Sequence, residues 1–523
     1  MAKVKVSPLF KTYQQHQFYL LPPDLGSLIG PQHLVRVVHE VVERMDITAL
    51  LNTYKGGGTT SFHPRMLLKV LLYGYCVKLY TGRKIARALE ENIHFMWLAG
   101  MSRPDFRTIN AFRSSRAKEV IELLFKELLT FLMDHNYIRM ENYFCDGSTF
   151  RADANQHKMV WKKNAQRHKA KVEVKCRQLF ADIEEMNKQE DKQYGNNDLE
   201  EKGQATTVTK EILDKKIGDI NKIIAEPTSK AVRKKAVSIK NKLQKNAGKI
   251  TRYQTQEAKA GTRSGYNKTD EDASAMMMKN KKEISPAYNV LAGSEDQFIT
   301  GVTVHQNPND GTCFKEHLEQ IAAQQPLTPQ QLIADSVFGS EQNYALLEDK
   351  GIKNFVKYQS YHREQKKGFT KNIFLKENFI YNKLINSYLC PNQKELIFNR
   401  KITEAHPKTG YLSTSKQYEC TDCSGCKFYE QCCKSQKGGN RTIQINEKFE
   451  AYKHETRVNL QTDEGKQLKK QRSIEIESCF GDIKHNMEFR RFHLRGLKKV
   501  KTDMTLIAMA HNLRKIHCRR ITA

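Results

Sequence analysis

The stretch YFCDGST at residues 143–149 is short, aromatic and rich in residues that favour β-strands. It predicts a strand that ends at Asp146, with Gly147 opening a turn. A second apolar stretch, LIAD at residues 332–335, predicts a buried strand that opens into a loop at Asp335. Strand ends are favoured positions for ligands in α/β sheets, so two such aspartates predict a metal site. A plain turn residue is the alternative for either aspartate taken alone.

The chain before this strand predicts an all-helical N-terminal domain over residues 1–135. Apolar residues between Leu34 and Met45 follow the periodicity of an amphipathic helix, and Pro64 is placed to begin a second helix that is apolar almost all round. Further helices are predicted at 83–91, near Asp105 and at 116–135. The many arginines suit a helical DNA-binding module, and a helical bundle with a solvated basic face is the alternative.

After residue 284, short strands alternate with helices. The predicted elements are, in order, a strand at 288–292, a turn at 293–296, a strand at 298–305, a helix at 314–324, a strand at 331–334, a helix from Ser340 to Glu348 and a strand at 352–358. Strand–helix–strand alternation predicts parallel pairing. The predicted fold class is therefore a mixed α/β sheet with insertions, behind the all-α N-terminal domain.

Two insertions are expected to interrupt this α/β domain. The core strands lie at 136–160 and 285–360, and the segment 161–284 between them is polar, basic and helical in propensity. The segment 361–465 carries a cysteine cluster, and 466–523 predicts C-terminal helices at 466–490 and 502–517.

The chain of 523 residues contains 87 lysines and arginines against 58 acids, a formal net charge of +29. This excess favours a polyanionic partner, with a solvated basic surface as the alternative. No run of about 18 apolar residues predicts a membrane span. Seven scattered cysteines suit a reducing compartment, so we expect a cytoplasmic protein.

A third acid is expected on the helix near residue 476. Its core-facing stripe consists of Ile476, Phe480, Ile483 and Met487. Glu475 and Glu477 flank this stripe on opposite sides, and Glu477 has Lys484 two turns along its own face, where it could help bind a phosphate. Glu475 has Asp482 in that place, so Glu477 is the better candidate; an exposed glutamate without a role is the alternative.

Several stretches, taken in order, resemble one family. They are HPRML (63–67), LLYGY (71–75), FMWLAG (95–100), PDFRTI (104–109), DGST (146–149), TDEDA (269–273), ADSVFGS (334–340), FGDIKHN (480–486), RRF (490–492), LRG (494–496) and HNLRK (511–515). The sequence resembles the DDE transposases of bacterial insertion sequences, closest to the eleven-eighty-two group. That resemblance implies an RNase-H-like catalytic domain that cleaves transposon ends and transfers the strand into target DNA.

The resemblance also implies roles for individual residues. Asp146, Asp335 and Glu477 would hold Mg²⁺ or Mn²⁺ for in-line displacement at phosphorus. The residues implied to bind DNA are Arg472, Lys484, Arg490 and Arg491. The tyrosine of the family's Tyr-Arg-Glu-Lys signature is missing, and Lys469 stands near its place. The implied partners are the terminal inverted repeats, the target DNA and a second copy of the chain, giving a homodimer in the active complex.

Two alternatives of different classes remain open at the level of sequence. The chain could be a transposase-derived DNA-binding protein without catalysis, although the acids at all three positions argue against this. It could also be a metal-dependent nuclease that performs no strand transfer. Fold analogy alone does not separate these possibilities.

Five cysteines crowd between residues 420 and 433. Zinc sites commonly take four thiolates presented from CxxC turns, so the cluster predicts a structural zinc. The expected ligands are Cys420, Cys423, Cys426 and Cys432, and either Cys390 or Cys433 could replace one of them. Free thiols or an iron–sulfur cluster are the alternatives.

Overall fold

The structure is a computed structural model that describes residues 24–54, 61–194, 210–225, 229–278, 283–433 and 438–522. Its α-helices are α1 Leu34–Arg44, α2 Thr48–Leu51, α3 Pro64–Cys76, α4 Gly82–Glu91, α5 Ile93–Leu98, α6 Phe106–Ala111, α7 Ala117–Asp134, α8 Lys162–Tyr194, α9 Lys210–Ala225, α10 Lys230–Ala260, α11 Asp310–Ile321, α12 Glu341–Asp349, α13 Tyr361–Glu364, α14 Lys367–Lys371, α15 Tyr429–Cys432, α16 Glu447–Gln461, α17 Asp463–Gly481 and α18 Leu497–Thr522.

The β-strands of these residues form three sheets. They are β1 Asn142–Arg151, β2 Met159–Trp161, β3 Gly265–Asn267, β4 Ser274–Met278, β5 Glu283–Glu295, β6 Phe298–His305, β7 Gln331–Ala334, β8 Lys353–Asn354, β9 Ile380–Asn382, β10 Ser387–Leu389, β11 Glu395–Ala405, β12 Leu412–Cys420 and β13 Thr442–Ile445. The central sheet has the order β4-β5-β1-β7-β8, with β6 also paired to β5. The predicted mixed α/β sheet is confirmed.

Strand directions in the central sheet follow from the connections. The strands β1, β5 and β6 are antiparallel neighbours, whereas β7 pairs in parallel with both β1 and β8. The β5–β6 connection is a tight turn in which Asp296 and Gln297 both have positive φ angles, 53° and 62°. The predicted turn at 293–296 was therefore wrong, because β5 keeps its ladder with β6 as far as Glu295.

The prediction that the first strand ends at Asp146 was also wrong. The antiparallel ladder with β5 continues to Arg151, so Asp146 lies in the middle of β1. Gly147 opens no turn there. Its lack of a side chain instead makes room for Asp310. A Cβ at residue 147 would collide with the carboxylate of Asp310, which packs against this point of the strand at the start of α11.

The predicted helices are close to those found, with shifts that local caps explain. The helix expected at 314–324 begins at Asp310, because the Asn309 side chain accepts the backbone N–H of Thr312. The strand expected at 352–358 forms ladder bonds only over Lys353–Asn354. The helix expected at 466–490 is α17, which passes into a π-type turn at Asp482–Asn486. The helix expected at 502–517 is the longer α18.

Helices of the N-terminal part share one hydrophobic core with the sheet. The described residues between Asp24 and Asp134 form helices, and α1, α3 and α7 pack against α18, which itself covers β6. The contact is polar as well as apolar: the buried hydroxyl of Tyr75 bonds to Asp503, and Arg514 donates to the carbonyl of Cys76 at 3.1 Å. The predicted domain boundaries stay a prediction.

The two insertions have cores of their own. Helices α8, α9 and α10 pack around a separate apolar cluster that includes Cys176, Leu213 and Leu243. The strands β9 to β13 form a five-stranded antiparallel sheet with a small core around Leu396 and Tyr418. Within the ranges that the structure describes, no helix is long and apolar enough to cross a membrane.

The entry into β1 depends on one buried carboxylate. Glu295 is 5% exposed and accepts four backbone N–H groups, from Arg139, Met140, Glu141 and Asn142, at 2.6 to 2.8 Å. Hydrogen bonds to an ionised acceptor are about twice as strong as neutral ones. This carboxylate therefore fixes where the chain turns from α7 into the central strand.

We predict that Glu295→Gln lowers the free energy of unfolding by about 3 kcal/mol, because the amide offers one acceptor oxygen and leaves buried N–H groups unpaired. Urea unfolding followed by circular dichroism measures the change. Glu319→Gln is the matched control, since Glu319 is 56% exposed on α11 and its loss should cost less than about 0.5 kcal/mol. Equal stability of the two variants would contradict the role of Glu295.

Candidate active site

Asp146 and Asp335 lie side by side on neighbouring parallel strands. Cys145 of β1 is the register partner of Ala334 of β7, so the two aspartates follow at the same level. Adjacent strands are about 4.8 Å apart, and side chains at equivalent levels share a face of the sheet. Asp335 is partly buried and accepts the backbone N–H of Ser336 at 2.7 Å, which holds it at the end of β7.

Helix α17 brings Glu477 to the same face of the sheet. The helix packs against β1, β5 and β7 through its buried stripe, including Ile476 and Phe480. Arg472 links the acids: its guanidinium lies 3.0 Å from the Glu477 carboxylate and 3.9 Å from that of Asp146. Arg472 therefore links two of the three predicted acids, and the third, Asp335, lies next to Asp146 on the neighbouring strand.

The two glutamates of α17 are placed differently. Glu475 is 3% exposed, accepts the backbone N–H of Gln297 at 2.6 Å and points away from Asp146 towards the β5–β6 turn. Burial raises the pKa of its carboxyl group. Glu477 is 49% exposed and pairs with Arg472, the residue that also reaches Asp146.

Lys357 is a component of this region that our sequence reasoning missed. It follows β8, is 9% exposed, and its backbone N–H bonds to the carbonyl of Ala334 at 3.4 Å. Burial lowers the pKa of its ammonium group and the nearby Arg472 lowers it further, whereas Asp335 and Glu477 act in the opposite direction. A single lysine inside the apolar run NFVKY was the available indication.

The predicted DNA-binding residues lie on the same side of α17 and just after it. Lys484 donates to the Ser148 hydroxyl at 2.6 Å and to the Thr149 carbonyl at 3.0 Å, and its ammonium lies 4.5 Å from the centre of the Phe150 ring. Arg490 and Arg491 are exposed, and Arg491 pairs with Asp153. Lys484 is thus tied to β1 two and three residues beyond Asp146.

The end of α17 is anchored by a buried ion pair. Asp482 accepts from His511 of α18 at 2.8 Å, with Arg514 at 3.9 Å. Burial alone would lower the pKa of His511, but its neighbours Cys479 and Asp482 raise it to about 10, and burial of Asp482 is outweighed by His511 so that the pKa of Asp482 falls to about 2. This pair fixes the helix that presents Glu477 and Lys484.

A second cluster of functional side chains lies in the small sheet. A cavity of about 20 Å³ is lined by Cys390, Cys420, Cys423, Cys426, Cys432 and Cys433. The sulfurs differ in their partners: Cys390 accepts the backbone N–H of Lys394 and Cys423 that of Arg441, both at 3.3 Å. Cys420 and Cys433 instead donate to backbone carbonyls.

Neither cluster is already arranged around a metal ion. Among the described residues, no three His, Cys, Asp or Glu side chains are grouped as they would be around a cation. At the sheet, the guanidinium of Arg472 stands between Asp146 and Glu477. Carboxylate oxygens are the ligands that Mg²⁺ or Mn²⁺ takes, so the three acids fit such an ion once Arg472 releases them.

Comparison with protein families gives two matches. The family described as Transposase DDE domain matches residues 389–517, a range that includes the cysteine cluster, Arg472, Glu477 and Lys484. The family described as Transposase domain (DUF772) matches residues 23–115, the first helices. Asp146 and Asp335 lie outside both ranges. No curated protein matches the chain significantly.

We predict that Arg472→Ala strengthens the response of the protein to divalent metal. Without the guanidinium, Asp146 and Glu477 repel each other, so the melting temperature in EDTA should fall, and Mn²⁺ should restore it at a several-fold lower midpoint concentration than in wild type. Differential scanning fluorimetry across a Mn²⁺ titration measures both effects.

Lys470→Ala is the control for this measurement, because Lys470 is an exposed cation on the same helix. It should leave the Mn²⁺ midpoint where wild type has it. An Arg472→Ala midpoint equal to that of the control would show that Arg472 does not compete with the metal.

Proposed function

We propose that this chain, which its two family matches indicate to be an insertion-sequence DDE transposase, cuts DNA at transposon ends and joins the freed 3′ end to target DNA. The observation that carries the proposal is the adjacency of Asp146 and Asp335 on β1 and β7, with Glu477 of α17 linked to Asp146 through Arg472. Two acids far apart in sequence lie at one level of the sheet, and a third lies on the helix that packs against it.

The topology supports an RNase-H-like catalytic domain. The order β6-β5-β1-β7-β8 combines an antiparallel meander with two parallel strands, and the two aspartates stand on the first strand and at the end of the first parallel one. This arrangement agrees with what the family resemblance implied. Both insertions leave the sheet intact, since each folds around its own core.

We infer that Asp146, Asp335 and Glu477 hold divalent cations. Bound there, the ions would activate the attacking oxygen and stabilise the leaving oxygen of an in-line displacement. The acids act as ligands and take no part as nucleophiles. In this scheme Arg472 gives up its contacts with the acids and turns to a DNA phosphate, for which its planar guanidinium is well suited.

Other side chains of the region are suited to holding the DNA backbone. Lys484 projects from the π-type turn that follows α17 and is held against β1 by Ser148 and Thr149. Lys357 contributes a buried amine near Asp335. Arg490 and Arg491 are exposed just beyond. A phosphate would meet positive charge on each side of the acids, which orients the scissile bond.

The substrate that follows is a duplex carrying the element's own terminal inverted repeat, together with a target duplex. Two ends must be cut and joined, so a second copy of the chain is the expected partner. The net charge of +29 of the whole chain favours binding to DNA.

We predict that Asp146→Asn and Glu477→Gln each reduce cleavage at the repeat boundary by at least about a hundredfold, because a lost ligand removes charge stabilisation in the transition state. The assay uses a labelled duplex ending in the repeat, with Mg²⁺ or Mn²⁺ present, and follows both nicking and joined product. DNA binding of both variants, measured in EDTA, should persist.

Asp463→Asn is the control variant, because Asp463 is a fully exposed acid at the start of the same helix. It should cut like wild type. Undiminished cleavage by Glu477→Gln would remove Glu477 from the ligand set. Cleavage without any joined product would favour the nuclease, and binding by wild type without cleavage would favour the non-catalytic DNA-binding protein.

We also propose that the cysteine cavity holds a structural zinc. Zinc takes four thiolates, and a thiolate accepts hydrogen bonds and cannot donate one. The sulfurs of Cys390 and Cys423 face backbone N–H groups, which a thiolate accepts, whereas those of Cys420 and Cys433 face backbone carbonyls, which would repel a thiolate. Cys426, which closes the CxxC turn with Cys423, and Cys432 complete the proposed set. In this set Cys390 replaces Cys420 of the first expectation.

We predict about one zinc per purified chain by mass spectrometry of the metal. Cys390→Ser should lose most of this zinc and unfold the small sheet, because metal binding and folding are coupled in such sites. Cys433→Ser is the control and should keep the metal. Full zinc retention by Cys390→Ser, or its loss from the control, would contradict the ligand set; an absorbing iron–sulfur chromophore would contradict zinc itself.

A further inference from the structure

Helices α8, α9 and α10 form a unit, here called the helical arm, that the proposed chemistry does not use. Their apolar contacts are among themselves, through a cluster that includes Cys176, Leu213, Leu243 and Ile250. The arm is joined to the body through the two-stranded sheet of β2 and β3. It therefore extends the protein without adding to the core of the catalytic sheet.

The charge of the arm is concentrated in α10. The segment 230–260 contains ten lysines and arginines and a single acid, Glu257. By contrast α9, residues 210–225, contains four lysines and three acids. The two helices face the same solvent and differ mainly in net charge, so general solubility does not explain α10.

Some of the basic residues of α10 form a line that faces away from its buried side. The buried residues are Ala236, Ile239, Leu243, Asn246, Ile250 and Ala260. At 100° per residue, Lys234, Lys245 and Arg252 fall on the far side and Lys249 falls at its edge, and all four are exposed. With a rise of 1.5 Å per residue, this stripe is about 27 Å long.

Among the residues that the structure describes, no acid pairs with the charges of the stripe. Glu257, the one acid of α10, pairs with Lys169 of α8 at 3.2 Å. None of the four stripe residues forms an ion pair with another described residue; on α10 it is Lys259 that pairs with the neighbouring Glu271. The stripe is a line of unpaired positive charge almost as long as one turn of a DNA duplex, about 34 Å.

We propose that this stripe, Lys234, Lys245, Lys249 and Arg252, binds the phosphate backbone of duplex DNA beside the segment undergoing chemistry. The proposal rests on the proposed function only for the identity of the polyanion. A second copy of this chain is a poor occupant, because its net charge of +29 would repel the stripe. Duplex DNA offers a negative charge for every 1.7 Å or so of its axis.

The helical arm is connected to the strand that carries Asp146, so DNA bound on α10 would stay attached to the catalytic part of the protein. Strand β1 carries Asp146 and ends at Arg151, and α8 begins at Lys162. The strand that supplies the first acid thus leads directly into the arm. DNA held on α10 stays tethered to the molecule when the scissile phosphate is released, which favours sequential cutting and joining.

The test compares two double variants of the full chain, Lys245→Gln with Lys249→Gln on the stripe, and Lys215→Gln with Lys222→Gln on α9. Glutamine keeps the helix propensity and each pair removes the same charge.

Binding to a labelled 40-base-pair duplex is followed by fluorescence anisotropy in EDTA across a salt series. The stripe variant should bind about tenfold or more weakly at 100 mM salt and lower the slope of log affinity against log salt by about two. The α9 variant should match wild type.

A photoreactive residue at Asn241, which lies exposed on the stripe face, supplies a measurement that needs no destabilising change. It should crosslink to the duplex, and one at Lys383 in the small sheet should not. Equal salt slopes for the two double variants, or no crosslink from residue 241, would overturn the proposal. DNA cleavage is measured separately. If wild type does not cut DNA but the stripe variant still lowers the salt slope as expected, the transposase proposal is wrong and the DNA-binding role of the arm is retained.

Discussion

The parallel pairing of β1 with β7 is the constraint on which the candidate site depends. Its register puts Asp146 and Asp335 at one level although 188 intervening residues, including the whole helical arm, separate them in the chain. Hydrogen bonds of a parallel ladder fix that register, and a slip of one residue would turn an acid to the opposite face. Glu295 fixes the entry into β1, and the Asp482–His511 pair fixes the end of α17.

The positive charges of Arg472 and Lys357 have one role in the free protein and another when metal and DNA are bound. Without metal, three carboxylates this close repel one another, and Arg472 and Lys357 offset part of that repulsion. With metal and DNA bound, the same cations are available for phosphates. The guanidinium that stabilises the free protein is thus also suited to the substrate, which makes metal binding and DNA binding mutually supportive in this account.

Much of this could be predicted from sequence, for physical reasons that differ by element. Helix α3 is apolar nearly all round and Pro64 marks its start, so its bounds were evident. The three acids were identified by strand ends, helix faces and family resemblance together. The position of Asp146 in the middle of β1 could not be predicted, because the ladder between β1 and the distant β5 decides how far β1 extends. Lys357 was missed for the same reason: only the fold brings the end of β8 beside Asp335.

Fe²⁺-mediated cleavage of the protein chain would show whether three acids distant in sequence form one metal site. Fe²⁺ replaces Mg²⁺ at oxygen sites and, with ascorbate and peroxide, cuts the backbone nearby. We expect cuts near residues 146, 335 and 477 in a single titration, all suppressed by Mg²⁺ and all lost in Asp146→Asn. Cuts confined to one of these segments, or surviving in Asp146→Asn, would show that the acids do not share a metal.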